Sequence, residues 1–312
     1  MNIQEKRLAI AKMGFSDGFM KTLELSNSFR TSSLRKQCKP FIVNGKKVGI
    51  LKPDVVDMMR EDPDVHESCV ELTKKVDKNF FTRTEAIDEI LRKWKNHGCF
   101  NVALKGWRDE VYSISNSLHD DPLFEMERAG ASLFGVIQRG VHINGYVNHP
   151  EKGICMWVAT RSQNKQTFPG CLDQIVGGGL PAGLSVMECA IKESAEEASI
   201  DPSLVKQAIP TGAVSYIFNN EKGIYAEEEY VLDLLLPFDF KPINSDGEVE
   251  KFELLEIEKV ALLVAEQKFT PSSAAVLLHF LVQHGFIDPD TERNYGEILR
   301  GLHSPIKFDD VL

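Results

Sequence analysis

The stretch from Gly177 to Ile200 reads GGGLPAGLSVMECAIKESAEEASI, and the rest of the chain is best interpreted from it. It opens with glycines, which let a backbone turn sharply and approach a ligand closely. Ser185 and Glu188 then stand three residues apart, which is the spacing of a capping box at a helix N-terminus. We therefore expect a glycine-rich loop followed by a helix from Val186 to Ala198.

The expected helix carries its acidic residues on one side. Glu193, Glu196 and Glu197 have i, i+3 and i+4 spacing and so share a helix face. Like charges this close repel one another unless a cation lies among them. Mg²⁺ is a suitable cation, because it binds carboxylate oxygens together with substrate phosphates. An acidic run alone usually forms a solvated surface, so the metal site is inferred from the glycine loop and the acidic helix together.

This pairing resembles the Nudix box, in which a glycine, five residues, Glu, seven residues and Arg-Glu-U-x-Glu-Glu-x-Gly-U follow one another, with U aliphatic. Gly178 matches the first glycine, and the three glutamates match those that bind metal. The resemblance implies a Mg²⁺ site, able to take Mn²⁺, formed by Glu193, Glu196, Glu197 and the Gly178 carbonyl. It also implies a Nudix α/β/α sandwich with a mixed sheet.

The chain departs from the box at four positions, which are Leu184, Lys192, Ser194 and Ser199. The family has Glu, Arg, an aliphatic residue and Gly there. The missing Glu and Arg brace the loop against the helix in the family, so both halves of that ion pair are altered. This change leaves open a catalytically weak binding module, although retention of the metal glutamates argues against it.

Further segments resemble one Nudix subfamily, labelled thiamine pyrophosphokinase-related, with an N-terminal domain of unknown function. They include GWRDEVY at 106–112, LFGVIQRGVHINGYV at 133–147 and FPGCLDQIVGGG at 168–179. The resemblance implies a Nudix pyrophosphohydrolase that cleaves thiamine diphosphate, or its damaged analogues, to the monophosphate and phosphate. Another nucleoside- or coenzyme-type diphosphate is the alternative substrate. Kinase activity is not expected, because the chain has no G-x-x-x-x-G-K-[ST] motif.

A different enzyme class, isopentenyl diphosphate isomerase, resembles the segment RSQNKQTFPGC at 161–171. That chemistry needs a cysteine shortly after the F-P-G segment. Cys171 comes too early, and residues 173–176 occupy the required place. The sequence therefore disfavours an isomerase.

Catalytic and substrate-binding candidates come from the same segments. Arg161 and Lys165 are candidates for phosphate contact, because Arg offers a bidentate fork and Lys a point charge; solvated surface bases are an equal alternative. The candidates for the general base are Glu196, Glu197 and Glu248. Glu248 lies in a turn and fits an exposed turn acid equally well.

Two aromatic residues are candidates for contact with the organic part of the substrate. Tyr216 has the ring needed to stack on a heterocycle, although a core position is the simpler interpretation. Trp107 lies in the N-terminal region, where a structural role is favoured.

Hydrophobic periodicity divides the chain into two expected domains. Residues 1–125 are interpreted as a small α+β domain, whose first 35 residues form either a flexible arm or a short helix. Asn44-Gly45 predicts a hairpin turn. Residues 126–312 are interpreted as the Nudix domain with C-terminal helices. Within it we expect a strand over Leu133–Ile137 and a helix from Ser272 to His284.

Composition limits the class of protein. The net charge of −10 argues against a nucleic-acid surface. The family resemblance implies a small-molecule diphosphate as the partner. No apolar run approaches the roughly 20 residues that span a bilayer, and no signal core is present. The six cysteines form no C-x-x-C pair and are interpreted as reduced thiols. A cytoplasmic location is expected, organelle targeting stays open, and the oligomeric state is not predicted.

Overall fold

The computed structural model describes residues 3–62, 70–165, 167–245 and 247–311. The helices are α1 (Ile3–Met13), α2 (Ser16–Ser26), α3 (Ser28–Thr31), α4 (Pro53–Arg60), α5 (Phe80–Asn96), α6 (Asn101–Leu104), α7 (Arg128–Phe134), α8 (Val186–Ala198), α9 (Pro202–Val205), α10 (Ile257–Ala265), α11 (Pro271–Gln283), α12 (Tyr295–Leu302) and α13 (Phe308–Val311). The strands are β1 (Lys39–Val43), β2 (Lys46–Leu51), β3 (Val111–Ile114), β4 (Phe124–Glu127), β5 (Ile137–His149), β6 (Gly153–Arg161), β7 (Leu172–Gln174), β8 (Val176–Gly179), β9 (Ile209–Asn219), β10 (Ile224–Leu235) and β11 (Val249–Glu256).

A seven-stranded mixed sheet organises the C-terminal part of the chain. Its strand order is β11-β6-β5-β10-β9, with β7 beside β6 and β8 beside β5. Strands β5 and β10 run parallel, whereas β5 and β8 are antiparallel. The glycine-rich strand β8 therefore lies next to the longest strand of the sheet.

Helices cover both faces of this sheet. Helix α8 packs against β8 and β5, and this face buries Val141, Ile143 and Ala190. Helices α10, α11 and α2 cover the other face, where Val214 and Val231 are buried. The predicted α/β/α sandwich with a mixed sheet is confirmed.

The N-terminal region has small sheets and its own apolar core. Phe41, Ile87, Trp94 and Phe124 are buried in this core. The β1–β2 hairpin turns at Asn44 and Gly45, with φ of 52° and 69°, as an Asn-Gly hairpin turn requires. The predicted hairpin and the α+β character of this region are confirmed.

Helices α1 and α2 lie against the C-terminal helices. Phe19 of α2 is buried in the same cluster as Val264 and Leu281, and Lys6 forms a buried ion pair with Glu258 at 2.6 Å. Of the two expectations for the first 35 residues, the structure has the helical one. The domain division between residues 125 and 126 stays a prediction.

The predicted strand over Leu133–Ile137 was wrong. Residues up to Phe134 are helical, and Gly135 then adopts φ of 55° before β5 begins. A Cβ on Gly135 would collide with the Ile50 carbonyl oxygen, so a tertiary contact imposes the turn. The predicted helix over Ser272–His284 is confirmed as α11, which begins one residue earlier because Thr270 caps it and Pro271 takes the first helical position.

Other expectations concern membrane spans and thiols. Within the described ranges, no helix combines the length and the apolar character needed to cross a bilayer. The five described cysteines, Cys38, Cys99, Cys155, Cys171 and Cys189, are free thiols. Cys69 lies outside the described residues.

Candidate active site

The glycines of strand β8 leave space for three side chains. Successive residues of a strand point to opposite faces. A Cβ on Gly177 would lie 2.8 Å from His142 Nδ1, and one on the next glycine would lie 2.6 Å from Glu193 Cδ. A Cβ on the third glycine would collide with the Tyr112 hydroxyl. The strand is therefore a thin wall, with Glu193 on one face and His142 and Tyr112 on the other.

Helix α8 begins as the sequence predicts. Ser185 Oγ accepts a hydrogen bond from the Glu188 amide at 3.3 Å, and the Glu188 carboxylate accepts one from the Ser185 amide at 2.9 Å. This capping box fixes the first turn. It thereby sets the rotation of the acidic face relative to β8.

A lysine of the chain itself lies on this acidic face. Lys192 Nζ is 2.9 Å from a carboxylate oxygen of Glu193 and 2.9 Å from one of Glu196. Partial burial opposes the charge of the ammonium group, but the hydrogen bonds to the two carboxylates outweigh it and raise the pKa of Lys192. The face thus attracts a cation.

Glu197 differs from its two neighbours because it is buried, with 7% of the residue exposed. Its Oε2 accepts a hydrogen bond from the Gly177 amide at 3.0 Å. Burial raises the pKa of Glu197 to about 8. Asp173 and Lys165 lie within electrostatic range of this carboxyl group.

The predicted metal ligands are close in sequence but are not preassembled. Across residues 3–62, 70–165, 167–245 and 247–311, no three His, Cys, Asp or Glu side chains converge as a formed metal site. The physical reason is that Lys192 holds Glu193 and Glu196, while Glu197 turns towards Gly177. The donor set still fits Mg²⁺, because it consists of carboxylate oxygens on a face that already holds a cation.

A cavity of about 390 Å³ borders strand β8 at the Gly177 amide, which donates a hydrogen bond to Glu197 of α8. Strand β8 contributes Gly177, Gly178 and Gly179 to its wall. The basic residues in the wall are Arg108, Arg128, Arg139, Arg161, Lys165 and Lys222, and the aromatic ones include Tyr112, Tyr216, Phe218 and Tyr225. The cavity is therefore suited to an anionic molecule with an apolar or aromatic part, despite the negative charge of the whole chain.

Both predicted phosphate-contact residues line this cavity. Arg161 Nη1 donates to Asp173 Oδ2 at 2.7 Å, and its Nη2 donates to the Thr167 carbonyl at 2.9 Å. Much of the Arg161 fork is thus used to hold the loop. Lys165 forms a close ion pair with Glu248.

The environment of Glu248 bears on its predicted role as a base. Burial would raise the pKa of this carboxyl group, but the hydrogen bond and charge of Lys165 outweigh burial and lower it. Such a group accepts a proton poorly near neutral pH. Asp246, two residues earlier in the predicted turn, lies outside the described residues.

The two aromatic candidates occupy different places. Tyr216 lines the cavity but is only 2% exposed, and its hydroxyl donates to Glu229 at 3.4 Å; it has no free face on which a ring could stack. The indole ring of Trp107 contacts the Lys95 ammonium, 4.2 Å from its centroid, and does not line the cavity. The neighbouring Arg108 does line it.

Three residues of the cavity wall, Gln138, Glu227 and Glu229, were missed from the sequence. The apolar run over residues 229–236 by itself indicates a shorter strand, whereas β10 begins at Ile224. Starting the strand earlier gives the alternation Tyr225, Glu227, Glu229, which places all three side chains on one face. This alternation in the sequence was the signal from which Glu227 and Glu229 could have been predicted to lie on the same face as Tyr225.

Comparison with known proteins supports the assignment of the fold and the family. Residues 139–280 match the NUDIX domain, and residues 19–138 match a domain of unknown function, DUF4743. The chain is 35% identical to an uncharacterized protein of Saccharomyces cerevisiae, over 85% of this chain and 82% of that one. It is 33% identical to Nudix hydrolase 20, chloroplastic, of Arabidopsis thaliana, over 88% of this chain and 75% of that one.

A solved structure with a similar fold comes from Deinococcus radiodurans, with a TM-score of 0.41 and 20% identity over 55% of this chain and 98% of that one. The sequence matches extend over most of the Arabidopsis relative and over both regions of this chain. The chain therefore belongs to the Nudix hydrolase family and is an enzyme of the pyrophosphohydrolase type.

Proposed function

We propose that the chain hydrolyses the diphosphate bond of thiamine diphosphate, or of its damaged analogues, to the monophosphate and phosphate in the presence of Mg²⁺ or Mn²⁺. The observation that carries this proposal is the cavity beside the glycine strand, because its wall combines basic and aromatic side chains around about 390 Å³. A cavity of this size suits a small organic diphosphate better than a nucleic acid. The resemblance of the chain after about residue 35 to thiamine diphosphate hydrolases supports the choice of substrate.

Glu193, Glu196, Glu197 and the Gly178 carbonyl are the groups that would hold the metal. A divalent ion supplies charge neutralisation on the phosphates and activates water. Lys165 and Arg108 place positive charge along the cavity wall for the phosphate oxygens. Glu197 is the best-placed base, because its carboxyl group accepts a hydrogen bond from the Gly177 amide at the cavity wall and a bound divalent ion would favour its ionised form.

Glu248 has a positioning role in this proposal. Its carboxylate forms an ion pair with the Lys165 ammonium group, and its backbone carbonyl accepts a hydrogen bond from the Ser162 amide. Both contacts hold the loop that follows Arg161. Because Lys165 lowers its pKa, Glu248 is a weak base near neutral pH.

The alternative substrate, another nucleoside- or coenzyme-type diphosphate, fits the same cavity chemistry. Cys171 does not line the cavity, so no thiol supports the isomerase alternative. A cytoplasmic location stays a prediction, and the name of the Arabidopsis relative describes that protein as chloroplastic.

Phosphate release tests the proposal. The full chain with Mg²⁺ is incubated in parallel with thiamine diphosphate, a nucleoside diphosphate sugar and coenzyme A, and kcat/KM is compared. We expect the highest value for thiamine diphosphate or a damaged analogue. A clear preference for one of the other two compounds would reassign the substrate, and no hydrolysis of any compound would favour the weak binding module.

A further inference from the structure

One amide group in the cavity wall has no partner. Gln138 of β5 is 8% exposed and lines the cavity. Its Nε2 forms no hydrogen bond with the part of the chain that the structure describes. A buried N–H group without a partner costs free energy. A donor of this kind in a cavity wall therefore indicates that a ligand atom accepts its hydrogen bond.

The register of the sheet shows what surrounds this donor. Gln138 pairs with Glu227, and Glu227 pairs with Tyr216, so the three residues form one row across β5, β10 and β9. The next row contains Tyr225 and Phe218, whose rings stack with centroids 4.8 Å apart and planes 6° apart. Both rings line the cavity and are more exposed than Tyr216. The donor thus stands beside an aromatic wall.

Four residues of β5 separate the position of Gln138, beside the aromatic wall, from the position that pairs with the glycine strand. His142, which pairs with Gly177, lies four residues after Gln138 on the same face. Four residues of a strand span about 13 Å. The Gly177 amide in turn contacts Glu197, at the edge of the acidic face. A ligand whose diphosphate lies at Gly177 would place a ring at Gln138 if a short linker joins the two.

We propose that Gln138, Phe218 and Tyr225 form the binding site for a nitrogen heteroaromatic ring, with the Gln138 amide nitrogen donating a hydrogen bond to an acceptor atom of that ring. This inference rests on the proposed function, because the ring is the organic part of the diphosphate substrate. The aromatic wall contacts the apolar area of the ring, and one directed donor fixes its orientation. An alkyl diphosphate has no such acceptor and leaves the amide unpaired.

Equilibrium binding without a divalent cation tests the inference independently of hydrolysis. Dissociation constants of thiamine diphosphate, ADP and butyl diphosphate are measured for the wild-type chain, Gln138→Leu and Gln283→Leu. Gln283 is an exposed glutamine of α11 and serves as the matched control. The wild type is expected to bind at least one ring-bearing diphosphate more tightly than butyl diphosphate. Gln138→Leu should reduce that preference about tenfold, the effect of losing one buried hydrogen bond.

Thermal unfolding of the ligand-free variants excludes a trivial loss of the fold. Gln138→Leu removes an unpaired buried amide, so its Tm should equal or exceed that of the wild type. The inference is overturned if Gln138→Leu keeps the preference for ring-bearing ligands, or if the wild type shows none. If the preference depends on Gln138 but no diphosphate is hydrolysed, the proposed function fails and the ring site stands.

Discussion

At the scale of single residues, a glycine determines where a buried carboxylate lies. Glu229 is 5% exposed, and its Oε2 lies 3.6 Å from His142 Nε2. Burial raises the pKa of this carboxyl group. Gly140 is its partner in the sheet, and a Cβ there would collide with Glu229 Oε2. The space at Gly140 therefore keeps the carboxylate in the cavity wall.

Substitution of this glycine tests the packing argument. Gly140→Ala should lower the free energy of unfolding by about 1–3 kcal/mol, because the methyl group displaces a buried side chain, and it should also reduce kcat/KM. Gly296→Ala is the control, since the nearest atom to a Cβ there is 3.5 Å away, and it should be neutral or stabilising by up to about 1 kcal/mol. Urea unfolding of both variants measures the difference; equal stability would contradict the assigned packing.

At the scale of elements, α11 illustrates how burial makes stability depend on pH. His279 of α11 is 1% exposed, and its Nε2 lies 3.2 Å from the Thr211 carbonyl. Burial lowers the pKa of His279 below its ordinary value of 6.5. His303 and His284 lower it further, whereas Asp233 and the Thr211 hydrogen bond raise it. The folded state therefore favours the neutral ring.

The sign of the pH effect follows from linkage. Below pH 6.5 the unfolded chain binds a proton at His279 more readily than the folded chain does, so stability falls as pH decreases through that value. His279→Gln removes the contribution of this histidine to the pH dependence of stability. The variant should therefore lose less free energy of unfolding between pH 7.5 and pH 5 than the wild type does. His119→Gln, at an exposed loop position, should match the wild type. Urea titrations at both pH values test this; a steeper loss in His279→Gln would refute it.

Elements with local signals were predictable from the sequence, and those imposed by tertiary contacts were not. The capping box of α8 and the Asn44-Gly45 hairpin depend on neighbouring residues, and both form as expected. The end of α7 depends on the approach of Gly135 to Ile50, which no local pattern encodes. For the site, helical spacing placed the three glutamates on one face, but it could not show that Lys192 binds two of them.

At the scale of the whole molecule, the N-terminal region completes the cavity. Arg108, Tyr112 and Arg128, which lie within the residues that match DUF4743, line it together with residues that match the NUDIX domain. Arg128 forms an ion pair with Glu110 at 2.5 Å, whereas the Arg108 guanidinium lies within electrostatic range of Glu248. Removing the first 122 residues would also remove α2 from its packing against α10 and α11, so point variants are the better probe of this region.

Substitutions of the two adjacent candidates separate their roles. Arg108→Ala should raise KM for diphosphates about tenfold, because it removes a cation available for charged hydrogen bonds in the cavity wall. Trp107→Ala should leave KM near the wild-type value, because its ring contacts Lys95 and Arg92 instead of the cavity. Steady-state kinetics with thiamine diphosphate distinguishes them; the reverse order of effects would assign substrate contact to Trp107.

The central claim is that the acidic face of α8 supports metal-dependent hydrolysis in the adjoining cavity. The most direct measurement is phosphate release from thiamine diphosphate as a function of Mg²⁺ concentration, for the wild type, Glu196→Gln, Glu197→Gln and Glu89→Gln. Glu89 is an exposed glutamate of α5 and is the matched control. We predict a loss of kcat of about 100-fold or more in the two α8 variants, with Tm maintained and Glu89→Gln unaffected. Mg²⁺-dependent rates near the wild-type value in both α8 variants would contradict the claim.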